Sequence, residues 1–164
     1  MMIETICISG GFDPVHVGHL RMIREAAQFG RLIVIVNSDE WLMRKKGYIF
    51  MPFNERCEIL EGFVGVQETV CVDDSDGTVC EALEQLKPTY FANGGDRQST
   101  NTPEMELCEK LGIKLLWYVG GGKVQSSSTL VDTAQMLTPR SPDHEDCPEP
   151  TRVQILTAHD LPKN

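Results

Sequence analysis

The chain has 164 residues, 41% of them hydrophobic, and carries a formal net charge of -9. This length fits one domain, and no stretch reaches the roughly 18 apolar residues that a membrane helix needs. The acid surplus argues against binding a nucleic-acid backbone, which requires a basic surface, but not against a nucleotide, for which a few local cations suffice. The N-terminus, Met1-Met2-Ile3-Glu4, has no basic n-region, so a soluble cytoplasmic protein is expected. Six cysteines stand at 7, 57, 71, 80, 108 and 147 without a C-x-x-C pair. They read as reduced thiols, mostly core filler, and their spacing argues against zinc.

In chain order, the apolar run around Ile6-Cys7-Ile8 predicts a buried strand ending at Gly10-Gly11. Leu20, Ile23 and Ala27 recur at helical spacing and predict a helix over Val17–Phe29 with Gly30 as its C-cap. A second buried strand covers Leu32–Val36, and Asn37-Ser38-Asp39 can cap the next helix. Arg44-Lys45-Lys46-Gly47-Tyr48 reads as a mobile basic loop. Pro52–Phe63 is predicted helical, with Asn54 as the candidate cap. Val70–Val72 is a third strand, Thr78–Leu86 a helix stopped by Pro88, and Tyr90–Ala92 a fourth strand before the loop Asn93–Arg97. Pro103–Leu111 is a helix opened by proline, Ile113–Val119 a fifth strand, and Ser126–Thr129 opens a last helix to about Met136. Strands alternating with helices predict an α/β fold: a Rossmann-like five-stranded parallel sheet with helices on both faces, binding ligands at the carboxyl ends of its strands. Residues 1–137 are expected to form this domain. Thr138–Thr151, rich in proline, reads as a linker, and Val153–Leu156 as a segment able to dock back or onto another subunit.

Chemistry concentrates in Gly10-Gly11-Phe12-Asp13-Pro14-Val15-His16-Val17-Gly18-His19. Two glycines let the backbone approach a phosphate, and the following helix points its free N–H groups at the same space. His16 and His19, three apart, can present two imidazole donors as charge builds on a transferred phosphoryl group. Gly18 leaves room for a nucleobase or ribose. A histidine pair or a glycine turn alone is commonplace; the combination is what points to a phosphate site.

This segment resembles the H-x-G-H signature of the cytidylyltransferase-like nucleotidyltransferase superfamily, and the resemblance runs from Ile6 to about Met136. Val36–Glu40, Arg44–Gly47, Met51-Pro52 and Glu55-Arg56 are similar to the glycerol-3-phosphate cytidylyltransferase branch and to heptose 1-phosphate adenylyltransferase domains. Gly94-Gly95-Asp96 resembles the latter. Gly11, Pro14 and the triple serine are instead similar to adenylyltransferases of NAD and coenzyme A synthesis, so the base stays open between cytosine and adenine.

The resemblance implies catalytic roles for His16, His19, Lys46 (or Lys45) and Arg56. It implies nucleotide contacts from Gly10, Gly11, Phe12, Asp13, Gly18, Gly94, Asp96, Arg97, Ser126, Ser127, Ser128 and Thr129. Several have a structural alternative: a solvated basic loop for Lys46, an ion pair with Glu55 or Glu58 for Arg56, N-capping for the serines, and loop ordering for Asp13. The implied reaction transfers CMP or AMP from CTP or ATP to a small phosphorylated metabolite, with Mg2+ as cofactor and release of pyrophosphate. The expected partners are the nucleoside triphosphate, that acceptor and a second copy of the chain in a homodimer. The rivals are a dinucleotide-forming enzyme of NAD or coenzyme A type, a non-catalytic nucleotide sensor, and a metal hydrolase using His16 and His19 as ligands.

Overall fold

The computed structural model describes residues 2–95 and 102–137. Five strands run β1 Thr5–Gly10, β2 Arg31–Val36, β3 Val66–Cys71, β4 Tyr90–Gly94 and β5 Lys114–Val119. They form one sheet in the order β3-β2-β1-β4-β5, every pairing parallel. Six helices connect or flank them: α1 Val17–Ala26, α2 Asp39–Lys46, α3 Phe53–Glu61, α4 Cys80–Leu86, α5 Pro103–Leu111 and α6 Ser127–Met136. This is the expected Rossmann-like α/β architecture.

Alternation along β1 builds both faces. Ile6 and Ile8 join Ile23 of α1 and Leu60 of α3 in one core. Cys7, between them, joins Leu83 of α4 and Cys108 of α5 in the other. Successive side chains of a strand point to opposite faces, so a short run of consecutive apolar residues serves two layers. Burial pushes the Cys7 thiol up to about 12 and Cys108 to about 11, which makes both inert filler at neutral pH. Cys71, by contrast, is exposed at the end of β3.

Several expectations need correction. Arg44, Lys45 and Lys46 are not a loop but the last turn of α2. Ser38 caps this helix, accepting from the Trp41 N–H at 3.0 Å, Asp39 and Glu40 occupy its first turn, and the basic trio faces the negative end of its dipole. Gly47, at φ 80°, ends it. Helix α1 stops at Ala26, where Ala27 rather than Gly30 is the C-cap and its N–H bonds Ile23 O. Asn54 does not cap α3; the cap position is Pro52, which offers no side-chain bond. Strand β3 begins at Val66, four residues before the apolar signal, because Gln67, Glu68 and Thr69 sit on an edge strand where water is tolerated. The expected linker, Val153–Leu156, Asp96 and Arg97 lie outside the described residues.

Candidate active site

The sheet order reverses between β1 and β4: β2 and β3 lie on one side of β1, β4 and β5 on the other. Loops leaving the carboxyl ends of β1, β4 and β5 therefore diverge around one crevice, the place where such sheets bind ligands. There the chain encloses a cavity of about 380 Å³. It is lined by the Gly10–Phe12 turn, His16, Gly18 and His19 of the first loop, and Lys45 and Lys46 of α2. Gly94-Gly95 and the segment Gly120–Ser128 complete it.

The start of α1 is a capping box built from two histidines. The Gly18 N–H donates to His16 Nδ1 at 3.1 Å, and the His16 N–H donates to His19 Nδ1 at 3.2 Å. A ring nitrogen that accepts carries no proton, so each neutral imidazole holds its proton at Nε2. Both rings are held neutral. Burial is the main cause for His19, whose pKa falls to about 3, with His16 and Lys46 adding to it. Burial lowers His16 as well, followed by the charges of Lys46 and Lys123. The pair thus offers two oriented, uncharged Nε2–H donors at the cavity wall. Gly18 lines the cavity and also makes room for the histidine: a Cβ there would stand 2.9 Å from His16 Cε1 and push the ring aside.

Asp13 is fully buried and does not line the cavity. Its carboxylate accepts the Phe50 N–H at 2.7 Å and the Met51 N–H at 2.6 Å, which is the loop-ordering alternative. Lys46 Nζ donates to Asp13 O at 3.3 Å and faces the cavity, its pKa lowered chiefly by burial and partly restored by Asp13.

Arg56, like Asp13, does not line the cavity. It is fully buried, and its guanidinium donates to Gly11 O (2.7 Å), Asn37 O (2.8 Å), Met51 O (3.0 Å) and Asp39 Oδ1 (2.7 Å). Its ion-pair partner is Asp39, not Glu55 or Glu58. A planar fork with several donors is suited to tying three chain segments at once, and here it fixes the carbonyl of the glycine turn.

At the other rim, Ser126 caps α6 by accepting the Thr129 N–H at 3.1 Å. Ser127 Oγ donates to Pro14 O at 2.7 Å and so locks α6 to the first loop. Ser126, Ser127 and Ser128 reach the cavity; Thr129 does not, its hydroxyl lying 2.7 Å from Ser126 Oγ. Phe12 packs its ring 4.9 Å from that of His19 and also touches the cavity.

Trp41, Lys123 and Gln125 line the cavity without having been picked out from sequence. A lysine between a glycine run and a serine-capped helix is an anion-site pattern that could have flagged Lys123. Nothing local could have flagged Trp41, whose apolar character suits a core equally well. Among the described lining residues there is no carboxylate. Among the described residues, no group of three or more His, Cys, Asp or Glu side chains is placed to hold a metal ion. None of the described helices is long and apolar enough to cross a membrane.

A parallel sheet with a glycine turn and a helix N-terminus at its switch point defines a nucleotide-binding α/β protein. The chain belongs to the Cytidylyltransferase-like family, whose profile matches residues 7–135, and is a nucleotidyltransferase. It is 29% identical over 111 residues to the FAD synthase of Ferroglobus placidus, covering 68% of this chain and 72% of that protein. To the bifunctional protein HldE of Streptomyces coelicolor it is 34% identical over 136 residues, covering 79% of this chain but only 28% of HldE. A lipopolysaccharide core biosynthesis protein from Thermoplasma volcanium shares the fold. The TM-score is 0.59 at 24% identity, over 71% of this chain and 96% of that one.

Proposed function

We propose that the chain transfers the adenylyl group of ATP to a small phosphate monoester, releasing pyrophosphate. One observation carries this reading: two neutral imidazoles, oriented by their own capping bonds, present Nε2–H donors beside a glycine turn and a serine-capped helix start. An oxygen of the acceptor attacks the α-phosphorus in line, the bond to the β-phosphate oxygen breaks, and no covalent enzyme intermediate is needed. His16 and His19 stabilise the charge on the transferred group, Lys46 and Lys123 hold phosphates, and Ser126–Ser128 with the α6 N-terminus receive the β- and γ-phosphates. Phe12 and the backbone of Gly94 and Gly95 border the nucleoside. Similarity to FAD synthases supports ATP over CTP.

Among the described residues, the wall has hydroxyls and imidazoles but no carboxylate to hold a hard cation. Mg2+ would therefore arrive on the triphosphate, taking its oxygens from phosphate and water, and would neutralise part of the charge of the leaving pyrophosphate. A zinc-hydrolase reading needs a third protein ligand. None stands with His16 and His19 among the described residues. Residues 1–137 are proposed as the catalytic unit, working in a homodimer.

The test is thermal stability with each nucleoside triphosphate and magnesium, followed by pyrophosphate release. MgATP is expected to raise Tm by mass action, more than MgCTP or pyrophosphate at matched ionic strength. Absence of stabilisation by any triphosphate at millimolar concentration would remove the reading.

A further inference from the structure

Cys71 ends the edge strand β3 and is exposed, while Cys57 lies half-buried on α3. The register of the sheet brings them to the same face. Thr69 and Cys71 pair with Val34 and Val36 of β2, which belong to the core that Leu60 of α3 completes. Paired residues of parallel strands project to one side, so Thr69 and Cys71 face α3. Cys57 packs against that same core.

Two contacts fix the alignment along the helix. Thr69 Oγ1 donates to Glu61 Oε1 at 2.6 Å, and Phe53 lines a second cleft, of about 300 Å³, together with Cys71. Helix α3 and strand β3 therefore run in opposite directions. Four helix residues back from Glu61 cover about 6 Å, and two strand residues on from Thr69 cover about 6.6 Å. Cys57, midway between Phe53 and Glu61, thus comes opposite Cys71. The Thr69 hydroxyl also reaches the Cys57 sulfur. Asp39 lines the second cleft too, and its partner Arg56 directly precedes Cys57 and holds the Gly11 carbonyl.

We propose that Cys71 and Cys57 form a thiol modification site for hydroperoxides, which closes to a disulfide and is felt at the glycine turn through Arg56. Cys71 meets the oxidant first, being exposed at the cleft. Its sulfur attacks a peroxide oxygen and becomes a sulfenic acid as the O–O bond breaks. The thiol proton goes to the departing oxygen, which leaves as water or an alcohol. The Cys57 sulfur then attacks the Cys71 sulfur, and the displaced hydroxide takes the Cys57 proton and leaves as water. Two thiols lose two electrons in all, and the peroxide gains them. Burial holds the Cys57 thiol above its ordinary range, with Glu61 and Cys71 adding to this against Thr69 and Arg56. Cys57 therefore stays protonated at neutral pH, does not compete for the oxidant, and suits the resolving step.

The experiment treats the reduced full chain with hydrogen peroxide and digests it under non-reducing conditions. Cleavage at Glu58, Glu61 and Glu68 separates the two cysteines unless a disulfide joins them. A linked Cys57–Cys71 peptide, abolished by dithiothreitol, is expected from wild type. Cys57→Ser should instead accumulate sulfinic acid on Cys71. Calorimetry should show MgATP binding about tenfold weaker to the oxidised wild type, restored by dithiothreitol. Peroxide should leave MgATP binding to Cys71→Ser unchanged. Because Cys71 is exposed, this variant carries the comparison even where Cys57→Ser fails to fold. Links to other cysteines in place of this one overturn the site, as does sulfinic acid on wild-type Cys71 beside a free Cys57. A Cys57–Cys71 bond with unaltered MgATP binding overturns its reach to the glycine turn. If the reduced protein binds no triphosphate, the nucleotidyl-transfer reading falls instead, and the linked peptide alone decides the site.

Discussion

The imidazoles of His16 and His19 stack with ring centroids 3.8 Å apart and an interplanar angle of 25°. One bond, from the His16 N–H to His19 Nδ1, ties the backbone under the first ring to the second ring. Helix initiation uses Nδ1 of both side chains and leaves Nε2 for the proposed chemistry, so substitution can separate the two. His16→Asn keeps a cap acceptor but loses Nε2–H; His16→Ala loses both. Each is expected to lower turnover on the order of 10²- to 10³-fold with a smaller change in the KM of the triphosphate. Only the alanine variant should also lose about 1 kcal/mol of stability. Steady-state kinetics and urea melts on the two proteins check both halves.

The depressed pKa of His19 makes a pH test. In the unfolded chain the imidazole titrates near 6.5; in the folded chain it does so near 3. Between these values the unfolded state binds the extra proton, so this contribution to stability is intact above about pH 6.5 and falls as pH drops toward 3. His19→Asn removes that dependence. Melting temperatures from pH 7.5 to 4 should fall more steeply for wild type than for the variant; parallel curves would contradict the assignment.

Arg56 is expected to behave as a structural tie. Arg56→Met leaves three carbonyls, two of them in buried bonds, and Asp39 without their donor, at a cost on the order of 3 kcal/mol. Arg56→Lys should fare little better, since one ammonium cannot span Gly11, Asn37, Met51 and Asp39. Chemical denaturation reads this directly. A well-folded Arg56→Lys protein with normal stability and lost turnover would point back to a phosphate ligand.

Gly95 offers a steric test. A Cβ there would collide with the carbonyl oxygen of Gly121, a backbone atom that cannot swing away. Gly95→Ala should part the β4 and β5 loops, weakening triphosphate binding by calorimetry while the two cores, remote from the loop, stay folded.

The fold was legible because the strong signals are local. Consecutive apolar residues at Ile6–Ile8 and Leu32–Val36, with glycine and proline punctuation, suffice to place buried strands and helices of a parallel sheet. Edge strand β3 was half hidden because Gln67–Thr69 meet solvent. At the site, the first loop and the serines could be read because turn, cap and donor functions fall within a few residues. Arg56 and Asp13 could not be assigned, since most of what they bind lies 19 to 45 residues away: Asn37 and Gly11 for Arg56, Phe50 and Met51 for Asp13. A charged residue near a phosphate motif reads as a ligand until its long-range partners are known. The basic trio Arg44–Lys46 looked like a loop because lysine and arginine carry no periodic apolar signal. Its order comes partly from Arg44 bonding Asp74 O at 2.6 Å, thirty residues on.

The separation of charge has a kinetic consequence. The chain as a whole is anionic, at -9, yet Lys45, Lys46 and Lys123 face the cavity with no carboxylate among its described lining residues. An incoming triphosphate is repelled at long range and attracted only at the mouth. The Debye length falls from roughly 30 Å at 10 mM salt to about 8 Å at 150 mM, which erases the distant repulsion and leaves contact-range attraction largely in place. The rate of nucleotide encounter should therefore hold steady or rise with added salt, opposite to the steep decline seen when a uniformly basic surface steers its ligand in.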